Sequence, residues 1–130
     1  MPQAIIRALI QIKEAAAQAN NKLGVFPHKQ ITLIEKTADE ILDGQHNGEF
    51  PLKVWQTGSG TQSNINVNEV IANRGNQITG KKVLHPHSSV NHSQSSNDTF
   101  PSALHIAATT ELTQELIPRS TGSDRLFYET

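Results

Sequence analysis

Apolar residues recur at helical spacing in separate stretches of the chain, and polar, glycine-bearing segments divide them. In residues 3–23, Ile5, Leu9, Ile12, Ala16, Ala19 and Leu23 step by three and four, the period of one helix face. Gly24 is placed to stop this helix and Pro27 to open a second. Ile31, Ile34, Ala38 and Ile41 carry the second as far as Gly44, so the first third of the chain predicts a helical hairpin. Gly44, Gly48, Pro51, Gly58 and Gly60 punctuate residues 44–60, which read as loop with short extended pieces and Val54-Trp55 as the only apolar anchor. A third helix is expected from about Ser63 to Ile78, with Val67, Val70 and Ile71 on its buried side. Residues 81–94, rich in His, Ser and Asn, read as loop again. A fourth helix starts near Asn97 or Asp98, both good N-caps, with Pro101 in a first turn where its missing N–H costs nothing. Phe100, Leu104, Ala108, Leu112 and Leu116 then repeat every four residues. Residues 119–130 show no periodicity that continues it. The pattern predicts a mainly α fold.

Composition narrows what such a fold can be. Hydrophobic residues make up 35% of the 130 residues and the mean hydropathy is -0.44. That is a low apolar share for an independent globule, so either the core is thin or its apolar faces are completed by further chain or by partners. The formal net charge is -1 with no basic stripe, which argues against nucleic acid as a partner. An anionic ligand has to be held by local donors, not by a global field. Without cysteine there is no disulfide framework and no thiolate-held metal, which is compatible with the cytosol. No run reaches the roughly 18 apolar residues of a membrane span, and Met1-Pro2-Gln3 does not begin a signal peptide.

Two polar segments have the chemistry of an anion site. Gly58-Ser59-Gly60-Thr61-Gln62-Ser63-Asn64 and Ser93-Gln94-Ser95-Ser96-Asn97-Asp98 each precede or open a helix. Hydroxyls, amides and exposed backbone N–H groups at a helix start suit a carboxylate. The same residues also serve as plain N-caps, and composition alone leaves both readings open. His85-Pro86-His87 with His92 sits in one loop without cysteine or a close acidic neighbour, so no metal site is expected there. His85 is better suited to binding a carboxylate or handling a proton. His28, His46 and His105 read as structural or solvated, and Glu49 and Glu69 do not form a catalytic pair. Asn91-His92-Ser93 and Asn97-Asp98-Thr99 match glycosylation acceptors but lack a secretory context.

The blocks Trp55-Gln56-Thr57-Gly58-Ser59-Gly60-Thr61-Gln62-Ser63-Asn64, Asn68-Glu69-Val70-Ile71-Ala72-Asn73-Arg74, His85-Pro86, Val90-Asn91 and Ser93 to Pro101 closely resemble the class II fumarate hydratases, in order and in spacing. The likeness covers about residues 1 to 118. Aspartate ammonia-lyases share the plan but typically carry Ala at the position of Ser59 and Thr at that of Ser96, so Ser59, Gln62 and Ser96 favour the hydratases. The alternatives are an ammonia-lyase-like enzyme or a non-catalytic remnant.

The resemblance implies the fumarase/aspartase fold: residues 1–96 as part of the N-terminal helical domain, 97–118 as the start of the central bundle, and 119–130 as a divergent tail. It implies reversible hydration of fumarate to malate in the citric acid cycle, with no cofactor and no metal, in a cytoplasmic homotetramer (mitochondrial in a eukaryote) whose sites borrow residues from several chains. Ser59, Gly60, Thr61, Ser95, Ser96 and Asn97 are the implied substrate-binding residues. The implied second, weaker dicarboxylate site comprises Lys82, His85, Pro86, His87 and Ser88. There the family usually reads His-Pro-Asn-Asp and has Arg where Lys82 stands, and Lys lacks the planar fork of Arg. No catalytic acid or base is placed in this chain, since the family's Thr-His segment and base-bearing loop lie in regions it does not contain. The expectation is a truncated, inactive chain. The Phe100-to-Leu116 face is expected to miss its bundle partners.

Overall fold

A computed structural model of the chain describes residues 1–53, Trp55 and residues 59–120, the side chain of Ser59 excepted. Four helices carry the fold: α1 (Gln3–Lys22), α2 (His28–Leu42), α3 (Ser59–Thr79) and α4 (Ser96–Glu111). A wider π-type turn over Leu112–Leu116 continues α4, and the helix runs on to Ser120. Arg119 and Ser120 therefore belong to the helix, against the expected break, while residues 121–130 lie outside the described set. No described residue is in a strand: among the described residues of the stretch expected to hold extended pieces, Asn47–Glu49 form a 3-10 turn and Ser59 and Gly60 open α3.

α1 packs against both α2 and α4, and α3 packs against α2 and α4. The core holds Ile6, Leu9 and Ile10 of α1, Ile31, Ile34, Ala38 and Ile41 of α2, and Val67, Val70, Ile71 and Ala72 of α3. The faces expected for α2 and α3 are the buried ones. On α1 the stripe turns by one position. Ile6, Leu9, Ile10, Lys13, Ala17 and Asn20 are buried, whereas Ala19 and Leu23 are exposed. A lysine and an asparagine on the inner face hid that stripe from a search for apolar residues alone. Trp55, expected as an anchor, is 97% exposed, and Val54 lies outside the described residues.

The helices are tied by polar contacts as well. Arg74 of α3 grips Glu40 of α2 with two hydrogen bonds, Nε to Oε2 at 2.6 Å and Nη2 to Oε1 at 3.2 Å, and His46 reaches the same carboxylate at 3.2 Å. The Arg74 guanidinium holds the Glu40 carboxyl below the usual carboxylate range. Asn76 accepts from the backbone N–H of Val83 and Leu84 at 2.7 and 2.8 Å and donates to the Leu84 carbonyl, docking residues 83–84 along α3. Leu84 fits there because Gly75 has no side chain: a Cβ would lie 2.5 Å from Leu84 Cδ1.

α4 meets the other helices through small residues. Thr99, Ala103 and Ala107 are its buried positions, spaced by four. The larger residues one position on are turned outward: Leu104, Leu112 and Leu116 are about half exposed and Ala108 is exposed. Small residues on the inner stripe allow close approach of the helix axes. Ala103→Asp should therefore lose at least about 3 kcal/mol in urea unfolding, by burying an unpaired carboxylate. Ala108→Asp should stay within about 0.5 kcal/mol of the parent. Equal losses at the two positions would mean that α4 packs through its other face.

Candidate functional site

The starts of α3 and α4 lie side by side. Thr61 Oγ1 and Ser96 Oγ are 3.4 Å apart. One turn further along, Thr99 Oγ1 donates to Asn64 Oδ1 at 3.3 Å. Both contacts join residues 35 positions apart in the sequence, so they are successive rungs between two helices in one register. The close approach also depends on Gly60, where a Cβ would sit 3.0 Å from the ring of Phe100. The two polar segments thus converge on one place, with two positive helix ends and a pair of hydroxyls facing each other.

The expected site residues divide by what they already do. Ser95 is the N-cap of α4, and its hydroxyl accepts from the Asn97 N–H at 3.3 Å. That is the capping role its composition equally allowed. Thr61 and Asn97 are exposed, and Gly60 and Ser96 half-buried, at the mouth of the two helices. α3 begins at Ser59, four residues earlier than expected, which brings Gly60 and Thr61 into its first turn. Gly58 and the side chain of Ser59 lie outside the described residues.

The expected second segment is not plain loop. Pro86–Val90 forms a single π-type turn. His85 caps it: its Nδ1 accepts from the N–H groups of His87 and Ser88, each at 3.3 Å. A neutral imidazole that accepts at Nδ1 carries its proton on Nε2, so the exposed His85 presents a donor. His87 and Ser88 are exposed on the same turn and Pro86 is half-buried. Lys82, three residues before His85, lines with Lys81, His46 and Arg74 a groove of about 570 Å3 along α3. That groove includes none of residues 59–61 or 95–97.

Beneath the paired helix starts is a polar core that the sequence did not announce. Asn91 Oδ1 accepts from three donors: Lys13 Nζ at 2.9 Å, Asn64 Nδ2 at 3.0 Å and Asn68 Nδ2 at 3.2 Å. Lys13 Nζ also donates to Gln94 Oε1 at 2.8 Å. Lys13 is fully buried, and among the described residues its partners are two amide oxygens and no carboxylate. Burial pushes its ammonium down to about 7. The amide acceptors work the other way, favouring the charged form.

A sequence profile of the lyase family matches residues 1–122. The chain belongs to the lyase family. It is 55% identical over 126 residues to "Fumarate hydratase class II" of Pseudomonas putida, covering 93% of this chain and 27% of that one. It is 56% identical over 123 residues to "Fumarate hydratase class II" of Chlamydia pneumoniae, covering 91% and 27%. Among solved structures it is similar to the fumarate lyase:delta crystallin of Brucella melitensis in native form. The TM-score is 0.82 at 41% identity, over 86% of this chain and 27% of that one. This lyase chain therefore spans about a quarter of the length of the curated relatives it matches. The mainly α architecture is that of the fumarate lyase neighbour, and no described helix is long and apolar enough to cross a membrane.

The buried Lys13 sets a pH dependence. Below about pH 7 the ammonium is charged in both the folded and the unfolded chain, and the burial penalty is fully present. As pH rises from about 7 toward 10.5 the folded chain sheds the proton first, so the penalty is relieved and stability climbs. Each unit of depression is worth about 1.4 kcal/mol. Lys13→Met should remove that climb. Urea unfolding of parent and variant at about pH 6, 8 and 9.5 measures the difference. A difference that stays flat would mean that Lys13 remains charged in the folded chain.

Proposed function

We propose that this chain supplies part of a fumarate hydratase active site, in which Thr61 and Ser96, flanked by Gly60 and Asn97, hold a carboxylate of fumarate or malate. The observation that supports this most is the 3.4 Å approach of Thr61 Oγ1 to Ser96 Oγ, which joins two separately anion-suited segments at two helix starts. The naming of similar proteins as class II fumarate hydratases supports the reaction. Water adds across the double bond of fumarate, and in the reverse direction a base takes a proton from the carbon beside a carboxylate. Negative charge then builds on that carboxylate, where preorganised neutral donors stabilise it most. Thr61 and Ser96 are such donors. Ser95 contributes by fixing the start of α4, and Ser59 belongs to the same group by its place at the start of α3.

The acid and the base come from chain beyond this quarter of the relatives' length, and the outward face of Leu104, Leu112 and Leu116 packs there against further helices of a homotetramer. The place of reaction is the cytoplasm and the pathway is the citric acid cycle. His85 and the turn over Pro86, His87 and Ser88, with Lys82 three residues before His85, form a weaker dicarboxylate subsite.

The test is a chimera in which residues 1–118 replace the matching segment of the Pseudomonas putida relative. Thr61→Ala and Ser96→Ala should each lower turnover roughly 30- to 1000-fold, corresponding to about 2 to 4 kcal/mol per lost donor. Ser88→Asn should leave it nearly unchanged. If Thr61→Ala and Ser96→Ala melt lower by about 1 kcal/mol of stability yet turn over normally, both residues are caps and the site lies elsewhere.

A further inference from the structure

A lysine buried without a carboxylate is an expensive way to fill a helix interface. A methionine of similar volume avoids the desolvation of an ammonium, and such replacements are often neutral or stabilising. Lys13 stands at 0% exposure all the same. What it touches explains its use better than packing does. Its two acceptors, Asn91 and Gln94, belong to the turn that leads directly into Ser95, the cap of α4. The rest of that turn is stitched to itself: Asn91 Nδ2 donates to the Gln94 carbonyl at 3.0 Å, and Gln94 Nε2 to the carbonyls of Val90 and His92 at 3.0 and 3.2 Å. α1 holds the turn a second time through Asn20 Nδ2, which donates to the His92 carbonyl at 3.2 Å.

From Asn91 the tie runs to α3. Asn64 and Asn68 both donate to its oxygen, and Asn64 in turn accepts from Thr99 of α4. A carbonyl oxygen has two lone pairs, so three donors compete for it. Of the three, only Lys13 can bring charge, and charge-assisted hydrogen bonds are about twice as strong as neutral ones. Asn64 lies three residues after Thr61, and Thr99 three after Ser96. The tie therefore passes one helical turn beneath the hydroxyl pair, on the same side of both helices.

We propose that Lys13 is a positioning residue for the Thr61–Ser96 pair: it fixes the Asn91–Gln94 turn, and through Asn91 it sets the separation of the two helix starts that carry the hydroxyls. The proposal rests on the carboxylate-binding reading of that pair. It makes Lys13 a distant contributor, which touches neither hydroxyl and acts through Asn91, Asn64 and the turn into Ser95.

Amide hydrogen exchange of the whole 130-residue chain, followed by NMR, tests it in three versions: parent, Lys13→Met and Lys13→Gln. In the parent, the reporter N–H groups are bonded: Asn91 to the Pro86 carbonyl, Gln94 to that of Asn91, and Thr99 to that of Ser95. Lys13→Met should speed exchange at Asn91, Gln94 and Thr99 by about tenfold or more, a loss of roughly 1.4 kcal/mol of local protection, while Ile34 and Ile71 in the core keep the parent rates. Lys13→Gln retains an amide donor and should restore most of the protection. Unchanged rates in Lys13→Met, equal acceleration in the core, or no recovery in Lys13→Gln would each overturn the proposal. Should Lys13→Met fail to fold, the parent decides alone. Its Lys13 Nζ protons should exchange slowly and show cross-relaxation to the side chains of Asn91 and Gln94; fast exchange overturns the proposal. The carboxylate-binding reading fails on a different signal, the turnover of Thr61→Ala in the chimera, so the two failures are distinguishable.

Discussion

One amide oxygen braces the two polar segments from beneath. Asn91 Oδ1 accepts from α1 through Lys13 and from α3 through Asn64 and Asn68, while the turn that bears it leads into the cap of α4. Three helices whose shared core is apolar are thus fixed in rotation as well as distance. Hydrophobic burial is non-directional and tolerates small slips of one helix past another. A hydrogen-bond network in a low-dielectric interior does not, because every slip leaves a buried polar group unmatched. The network has one loose end, Asn68 Oδ1, which is buried without a partner among the described residues.

That division of labour decides what could be read from the sequence. The helices themselves were legible, since α2 and α3 bury Ile31, Ile34, Val67 and Ile71 at the expected spacing. On α4 the large apolar residues Leu104, Leu112 and Leu116 catch the eye, but the stripe that packs is Thr99, Ala103 and Ala107. Small residues carry little hydrophobic signal and still permit the closest approach. α1 hides its inner face for a different reason: Lys13 and Asn20 read as solvent-facing until their partners 72 to 81 positions away are known. Pairings of that range leave no local trace. The turn at Pro86–Val90 was hidden too, because its geometry rests on His85 acting as a cap, a role His seldom announces.

The two anion-type segments were legible as chemistry, and the family resemblance grouped them in one site, while composition and spacing alone did not bring them together. Glycine, hydroxyl and amide residues at a helix start advertise available donors, yet each segment alone is equally a cap, and Ser95 does cap. Only the register that sets Thr61 beside Ser96 and Asn64 beside Thr99 separates a shared site from two unrelated helix starts. Membership of the lyase family and a TM-score of 0.82 to a fumarate lyase show that the four helices follow a known fold. The chain spans about a quarter of the length of the relatives it matches, and the leucines on the outer face of α4 and its continuation are exposed apolar surface.

The convergence of α3 and α4 can be measured without any ligand, because the chain contains no cysteine to interfere. With Thr61→Cys and Ser96→Cys in one chain, the thiols replace oxygens that stand 3.4 Å apart, within reach of a disulfide after small side-chain rotations. Under mild oxidation the account predicts a rapid, nearly complete intrachain disulfide at low protein concentration, seen as the loss of two thiols and 2 mass units (about the mass of two hydrogens) with the helical circular dichroism preserved. Two thiols that stay free in a folded chain, or that link only between chains, would contradict it.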